Sequence, residues 1–479
     1  MEEDSQMLNE VVAIGYGVMR KKDLTGAVAR LGGKDINNIP TVRLDQALTG
    51  KVSGVHVTNT SGEPGAATNI LIRGGNSISA SNQPLYVVDG FIGAGDLNLI
   101  DPNDIESIEI LKDAAATSIY GARGANGVVI ITTKRGTEGG NSVTVNAYVG
   151  VQQVAKRLEM LNAREYAEML NQQDVAAGQE PSIENPSIYE KGTDWQDELY
   201  RNALMTSHNI SITGGQEKVT YAFSAGYLDQ AGIALGSGFK RLSLRGNLEA
   251  QIKSWLKGGI NFSMSDSKQK VGADNNIIMT ALQSQPSTAV TSADGSYDGP
   301  DDQYMPDNPV ALTEIRTNNN KKENFRFSTY LEAALLKGLT LKTELSTDYN
   351  LNKYYYYEPD FTFGVKVNNT RTGRWTKNDS KYWSWRNILT YNRTFNDKHN
   401  INAMVGQEMS ENHWETQESR ATGYLSNSAQ DPSAGGQVDG SGYQDNSSIL
   451  SYFGRAFYSF ADRYLLTAVS YTHLRAHET

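Results

Sequence analysis

The chain has 479 residues, of which 44 are Lys or Arg and 54 are Asp or Glu, so its formal net charge is −10. The acidic excess argues against a general nucleic-acid binder, and the absence of cysteine excludes a disulfide scaffold, a thiolate metal site and a cysteine nucleophile. The mean hydropathy is −0.49, and no window approaches about 18 consecutive apolar residues. Transmembrane helices are therefore excluded, whereas a membrane β-barrel is compatible because its strands alternate in polarity.

The first residues do not resemble an export signal. Residues 1–5 are acidic and polar, without the basic start and apolar stretch of a signal peptide. Such a start is expected either of a cytoplasmic protein or of a sequence whose true start is missing. We treat residues 1–17 as a separate leading segment.

Residues 18–140 predict a compact α/β unit that is rich in glycine. Short apolar runs cut by Gly and Pro indicate short strands, and small-residue or amphipathic runs indicate short helices. The predicted helices are 44–52 and 114–120, and the predicted strands are 55–59, 69–73, 85–88, 104–112 and 127–134.

Residues 141–468 predict an almost entirely β domain of about eleven strands, since side chains alternate in polarity along each run. In residues 242–252, Leu244 and Leu248 fall on one face, whereas Arg245 and Glu249 fall on the other. The same alternation recurs in hairpins with short turns at residues 256–264, 325–335, 339–351, 383–391, 401–409, 450–460 and from 464 onward.

The connections between these strands alternate between short turns and long loops. The long loops are predicted at residues 268–322, 355–381 and 411–448. A soluble sandwich gives no reason for this sorting, whereas an outer-membrane barrel has short periplasmic turns and long extracellular loops. Aromatic residues near the strand ends fit an interfacial girdle. The pattern therefore favours a barrel with a polar, wet interior.

Several motifs carry a family resemblance. They are residues 8–17 (LNEVVAIGYG), 71–74 (LIRG), 84–90 (PLYVVDG), 105–134 (IESIEILKDAAATSIYGARGANGVVIITTK) and 193–198 (TDWQDE). Together they resemble the SusC/RagA family of TonB-dependent outer-membrane transporters. The resemblance implies a mainly β protein, with an N-terminal α/β plug inside a transmembrane antiparallel β-barrel of about 22 strands, of which this chain would hold about half.

The resemblance also implies a location in a Bacteroidetes-type outer membrane, in contact with its lipid. The implied partners are periplasmic TonB, which supplies energy from the proton gradient, and a SusD-like surface lipoprotein. The implied substrates are oligosaccharides or, in some branches, peptides, and no cofactor is implied. Two other functions remain open, namely a TonB-dependent receptor for metal chelates and a soluble or cell-surface all-β carbohydrate-binding protein.

The leading segment contains a candidate TonB box. Its residues are Leu8, Asn9, Glu10, Val11, Val12 and Ala13. An extended peptide of this kind binds by adding a strand to a sheet edge of its partner, and β-branched residues favour extension. The alternative interpretation is an ordinary first strand of the plug.

Two plug arginines are candidates for contact with the barrel. Arg73 and Arg123 would pair with carboxylates of the barrel lumen such as Glu249 or Glu344, and the alternative is that both are solvated surface residues. Outside residues 469–479, no catalytic or metal-binding constellation is evident: His56, His208, His399 and His413 form no HExxH motif or i, i+4 pair. We therefore expect neither an enzyme nor a metal protein.

Aromatic residues in the predicted long loops are candidates for substrate contact. We name Tyr355, Tyr356, Trp375 and Trp414, because flat aromatic faces suit the C–H faces of sugars. The alternative is anchoring at the membrane interface, and the sequence does not separate the two.

The C-terminal residues differ in their polarity pattern from the domain before them. Residues 464–468 predict a strand, after which residues 469–479 break the pattern and resemble a translated sequencing adapter. The predicted organisation is therefore a leading segment (1–17), a plug (18–140), a partial barrel (141–468) and an adapter-like tail (469–479), in a chain expected to be a fragment.

Overall fold

The structure is a computed structural model of the chain, and it describes residues 11–14, 17–20, 28–37, 43–59, 61–66, 68–79, 81–93, 97–461 and 463–478. A small N-terminal unit, called the plug below, occupies the described residues between 28 and 134. An eleven-stranded antiparallel sheet, called the barrel sheet, follows it. Within the described residues, every helix is too short or too polar to cross a bilayer.

The plug is organised around a mixed five-stranded sheet in the order β3-β8-β9-β6-β7, beside the separate β4-β5 hairpin. The strands are β3 (Val28–Gly32), β4 (Val55–Asn59), β5 (Thr68–Ile72), β6 (Leu85–Val88), β7 (Phe91–Ile92), β8 (Ile105–Leu111) and β9 (Val128–Thr133). The helices are α1 (Gly33–Asn37) and α2 (Ala114–Thr117). Before the plug, β1 (Val11–Ile14) pairs with β2 (Gly17–Arg20) as a hairpin.

The plug has its own apolar core. Ile105, Ile108 and Ile110 of β8 are fully buried, and they pack with Leu44 and Leu48, which precede β4. The segment before β4 therefore packs against β8, and burial of these apolar side chains stabilises the plug.

The barrel sheet keeps its strands in chain order, so each strand pairs with its sequence neighbours. The strands are β10 (Ser142–Gln152), β11 (Ala203–Gln216), β12 (Val219–Ala231), β13 (Gly238–Lys253), β14 (Leu256–Lys270), β15 (Thr317–Leu336), β16 (Leu339–Glu358), β19 (Thr372–Phe395), β20 (His399–Thr422), β21 (Gln437–Phe460) and β22 (Tyr464–Glu478). The predicted number of strands is confirmed.

The long connections contain the remaining elements. They are α3 (Ala163–Ala176), α4 (Trp195–Leu199), α5 (Asn275–Gln283), α6 (Pro309–Ile315) and the small hairpin of β17 (Phe361–Phe363) with β18 (Lys366–Asn368). Helices α4, α5 and α6 share a small apolar core with Phe363. The long loops therefore pack together at one end of the barrel sheet, while the short turns lie at the other end.

The two faces of the barrel sheet have opposite chemistry, as the alternation predicts. Leu244 and Leu248 are 38% and 39% exposed on the outer face. Arg245 and Glu249, on the opposite face, contact plug-side residues. The outer face suits hydrocarbon and the inner face suits a wet lumen, so the predicted fold class is confirmed.

The plug packs on the inner face. Ile388, Met404 and Phe453 of the barrel sheet share an apolar cluster with plug residues that include Val87 and Ile92. Polar and charged contacts, described below, surround this cluster.

The predicted loops at 268–322, 355–381 and 411–448 are all too long. Strand β14 continues to Lys270 and β15 begins at Thr317. Strand β16 continues to Glu358 and β19 begins at Thr372, while β20 continues to Thr422 and β21 begins at Gln437. The strand residues that were predicted as loop are polar or aromatic, because they lie beyond the apolar band of the barrel sheet. They lack the polar–apolar alternation that identifies the rest of each strand in the sequence. Strand β22 pairs with β21 as far as Glu478, so regular structure continues into the residues that the sequence sets apart as an adapter-like tail.

Candidate functional site at the interface of the plug and the barrel

Arg123 of the plug enters a buried charge network on the barrel wall. Its Nη2 lies 2.9 Å from Oε1 of Glu408, and Glu408 also accepts a hydrogen bond from Nε of Arg386 at 3.0 Å. Arg386 in turn lies 3.4 Å from Oε1 of Glu344. The Glu408 side chain is only 1% exposed, so its charge depends on these partners.

Local backbone geometry places Arg123 at this network. The residue lies in a 3-10 segment, Ser118–Gly124, that is kinked at Gly121 with φ of 59°. That backbone conformation favours glycine. Arg386 adds a second link, since its Nη1 donates to the backbone oxygen of Gly90 in the plug at 3.2 Å. The network therefore joins the barrel wall to two separate turns of the plug.

Asp89 forms a second contact between plug and barrel. It occupies a turn after β6 with φ of 50° and accepts a hydrogen bond from the backbone N–H of Thr133 at 3.0 Å. Nη2 of Arg245, on β13, lies 3.7 Å from its Oδ2. Burial raises the pKa of Asp89, but Arg245, Arg135 and the hydrogen bonds from Thr133 outweigh burial and hold that pKa below its ordinary value. Asp89 therefore stays ionised beside its arginine.

Arg135 and Glu249 form a third contact, where the chain leaves the plug for the barrel. Nη1 of Arg135 lies 2.6 Å from Oε1 of Glu249. Glu249 also lies 2.7 Å from Nζ of Lys257 and accepts a hydrogen bond from the Tyr330 hydroxyl at 2.9 Å. Each carboxylate oxygen thus has a polar partner, as buried charge requires.

Two carboxylates of the plug, Asp101 and Asp104, accept hydrogen bonds from one asparagine of the barrel sheet. Nδ2 of Asn209, on β11, donates to Oδ2 of Asp101 at 3.1 Å and to Oδ1 of Asp104 at 3.4 Å. Burial, followed by the neighbouring Asp101, raises the pKa of Asp104 above its ordinary value. The pKa of Asp104 is therefore shifted in the direction opposite to that of Asp89.

The two plug arginines that were predicted to contact the barrel, Arg73 and Arg123, have partners in different parts of the protein. Arg123 contacts Glu408 instead of the expected Glu249 or Glu344, whose partners are Arg135 and Arg386. Arg73 pairs with Asp113 inside the plug, so its expected contact with the barrel is wrong, because the β5 hairpin directs it back onto its own unit. Sequence reasoning missed Glu408, Arg386 and Asp89; the only signal was that each is a charged residue in an otherwise apolar or glycine-rich run.

The candidate TonB box is only partly described. Leu8, Asn9 and Glu10 lie outside the described residues, whereas Val11, Val12 and Ala13 belong to β1, where Val11 pairs with Arg20. The extended conformation required for strand addition is present in these three residues.

The four candidate substrate aromatics do not form one surface. Tyr355 and Trp375 pair across β16 and β19 with ring centroids 4.5 Å apart, on the outer face. Tyr356 and Trp414 lie on the inner face, and Trp414 contacts Tyr443 at 5.5 Å between centroids. Placing Trp375 and Trp414 in loops was wrong, because both lie in strands. Among the described residues, no group of His, Asp and Glu side chains is placed to hold a metal ion.

Comparison with known proteins identifies this architecture. The family model described as TonB-dependent Receptor Plug Domain matches residues 20–128. TonB-dependent receptor P26 of Formosa agariphila is 38% identical over 492 residues, covering 98% of this chain and 48% of the relative. TonB-dependent receptor SusC of Bacteroides thetaiotaomicron is 30% identical over 512 residues, covering 98% of this chain and 49% of the relative.

A solved structure agrees. The RagAB peptide importer in the 'open-open' state superposes with a TM-score of 0.85 and 25% identity, covering 97% of this chain and 56% of that chain. The chain spans about half the length of the curated relatives it matches. It contains the plug and eleven barrel strands of a SusC/RagA-like TonB-dependent receptor, a protein of the outer membrane.

Proposed function

We propose that the protein imports an oligosaccharide or a peptide across the outer membrane, driven by TonB and assisted by a SusD-like surface lipoprotein. The observation that carries this proposal is the attachment of the plug to the barrel wall through Arg123–Glu408, Asp89–Arg245 and Arg135–Glu249. Water can solvate such groups when they separate, whereas a continuous apolar interface would expose its core. A plug held in this way is suited to partial displacement by an external force.

The leading hairpin supports the role of TonB. Among the described residues, β1 pairs with β2 alone, so its other edge is open to an incoming strand. TonB would add a strand beside Val11, Val12 and Ala13 and transmit force through residues 21–27 to β3. The energy would come from the proton gradient of the inner membrane, and neither catalysis nor a cofactor would be needed in this chain.

The substrate class rests on relatives. The similar RagAB structure is a peptide importer, which supports a peptide. The motifs that resemble the SusC/RagA family imply either an oligosaccharide or a peptide. Trp414 and Tyr443, on the inner face beyond the plug, would offer an aromatic surface to either substrate.

A Val11→Pro variant of the protein, expressed from its complete gene in a deletion strain, tests the role of TonB. The β1–β2 register places the Val11 N–H on the edge that faces away from β2. Proline removes that N–H, while the matched Val11→Thr variant keeps the N–H and the β-branched shape. We expect Val11→Pro to abolish growth on the cognate peptide or glycan and Val11→Thr to preserve it. Equal growth of both variants would contradict the proposal.

A cross-linking measurement separates engagement from folding. Because the chain lacks cysteine, Val11→Cys introduces a single thiol, which we expect to form a disulfide with a cysteine placed in the binding strand of TonB. A cysteine at Gly139, in the exposed turn between the plug and β10, should not form that disulfide.

A further inference from the structure

A row of lysines crosses the barrel sheet. The register places Lys240 opposite Lys268, Lys268 opposite Lys321, Lys321 opposite Lys353 and Lys353 opposite Lys377. We call these residues the lysine row. Like charges directly opposite one another on neighbouring strands are destabilising, so the row requires compensating negative charge.

The lysine row lies on the outer face, near the end of the sheet that carries the long loops. Lys240 alternates with the buried Arg241 and shares its face with the exposed Leu242 and Leu244. Lys268 lies two residues before the end of β14, where one of these long loops begins. The row therefore lies at the outer boundary of the apolar band, where the headgroups of the outer leaflet meet the protein.

Carboxylates of the chain compensate only part of this charge. Lys240 lies 2.8 Å from Asp229, Lys377 lies 3.2 Å from Asp379, and Lys321 lies 3.6 Å from Asp266. Lys353 reaches Glu323 at 4.0 Å, and Glu323 also pairs with Lys321.

Two lysines remain outside these ion pairs. Within the described residues, neither Lys268 nor its outer-face neighbour Lys270 has an acidic partner within 4.0 Å. Both are exposed. Unpaired positive charge is therefore concentrated at the end of β14.

A groove of about 680 Å³ lies over this part of the sheet. Lys240, Lys268, Lys270, Lys321 and Lys353 line it, and the Tyr355–Trp375 pair lines it as well. The aromatic pair suits the depth of the membrane interface. Below the row, Leu242, Leu244 and Met264 are exposed on the same face, which suits acyl chains.

We propose that this groove binds the phosphorylated headgroup of a lipid in the outer leaflet. Each ammonium group provides three hydrogen-bond donors and a full charge for phosphate oxygens, and basic groups next to a bilayer attract anionic headgroups. The groove faces away from the lumen, so an imported substrate is not its occupant. A free anion would not use the adjoining apolar surface, whereas a lipid uses both. This site is independent of the proposed import function.

The test uses the protein expressed from its complete gene, purified in mild detergent and placed in nanodiscs that contain bis-phosphorylated lipid A. Retained lipid is counted by native mass spectrometry for the wild type, for Lys268→Gln with Lys270→Gln, and for Lys218→Gln with Lys337→Gln. The last pair lies in turns at the opposite end of the sheet. Because each lysine near the surface contributes to headgroup attraction, we expect the groove variant to lose about tenfold in retained lipid and the control to lose none.

Further experiments identify the ligand and check that each variant is folded. Dephosphorylated lipid A should be retained no better by the wild type than by the groove variant, and inorganic phosphate alone should not displace the lipid. The Lys268→Arg, Lys270→Arg double variant should still bind the lipid. Heat-modifiable gel migration should show that each variant is folded. If the double glutamine variant is unfolded, the single Lys270→Gln variant at the strand end replaces it. Equal retention by a folded groove variant and wild type, or displacement by inorganic phosphate, would overturn the proposal.

Discussion

Arg123 of the plug and Glu408 of the barrel lie 285 positions apart in the chain, yet Nη2 of the arginine donates to Oε1 of the glutamate at 2.9 Å. Glu408 is shared with Arg386, which also bonds the Gly90 carbonyl. This carboxylate therefore joins the barrel wall to the plug through two guanidinium groups.

We expect Glu408→Ala to weaken the attachment of the plug. The change removes a carboxylate from both Arg123 and Arg386, although Arg386 keeps Glu344, and the expected loss is about 3 kcal/mol in the free energy of local opening. Hydrogen exchange in residues 105–124 measures that opening. Glu217→Ala, in an exposed turn, is the control. Unchanged exchange in the Glu408 variant would show that the network does not hold the plug.

Acid should weaken the contact made by Asp89. Its pKa is lowered in the folded protein, so its contribution to stability is present above the unfolded pKa, 3.8, and is lost as the pH falls through the folded value. Asp89→Asn removes this part of the acid dependence, and asparagine tolerates the positive φ of the turn. Hydrogen exchange in β6 and β9 across pH 5 to about 2 gives the measurement. A variant with the same acid profile as the wild type would exclude Asp89 as its source.

Asp104 should show the opposite sign. Its pKa is raised by burial and by Asp101, so ionisation of the folded protein at neutral pH costs stability, and that cost disappears in acid. We expect Asp104→Asn to raise the thermal midpoint of the plug at pH 7 and to leave it unchanged near pH 3. Asp439→Asn, at an exposed position, should change neither. A destabilised Asp104 variant at pH 7 would mean that its hydrogen bonds outweigh its charge.

A glycine of the plug fits against the barrel. Gly65 has φ of 76°, and a Cβ at this position would collide with the Phe239 ring of β13. We expect Gly65→Ala to destabilise the plug by about 1–3 kcal/mol, measured by hydrogen exchange in β4 and β5. Gly62→Ala is a matched control in the same loop, since nothing lies within 4 Å of its Cβ. Equal effects of both changes would assign the loss to the loop rather than to contact with Phe239.

Trp414 and Trp375 should differ in function because they lie on opposite faces. If import proceeds along the inner face, Trp414→Ala lowers uptake of a labelled substrate by about tenfold, as expected for loss of one aromatic contact. Trp375→Ala should leave uptake unchanged. A loss confined to Trp375 would contradict the assignment of the faces to substrate and lipid.

The sequence predicted correctly which face of the barrel sheet a side chain occupies, but it did not predict which plug and barrel residues contact each other. Leu244 and Arg245 fall on opposite sides of β13 because side chains alternate along any strand, and this depends on local sequence alone. The contact of Arg123 with Glu408 depends on how the plug is oriented within the barrel, which no local pattern encodes.

Strand ends show the same limit. The run from Lys353 to Tyr357 lacks a polar–apolar alternation, so it indicates a loop, yet pairing with β19 extends the strand through Glu358. Tertiary pairing decides such segments. The lysine row was likewise hidden, since its members are far apart in sequence and meet only through the register of five strands.

The position of β3 at the rim of the plug sheet has a mechanical consequence. In the described part of the chain, β3 pairs with β8 alone, from Val28–Leu111 to Gly32–Ser107, and it is the first plug strand after the hairpin of β1 and β2. Tension applied from the N-terminal side therefore meets a short ladder before it meets the buried isoleucines of β8. We therefore expect such tension to detach the rim strand before it disturbs the strands behind it.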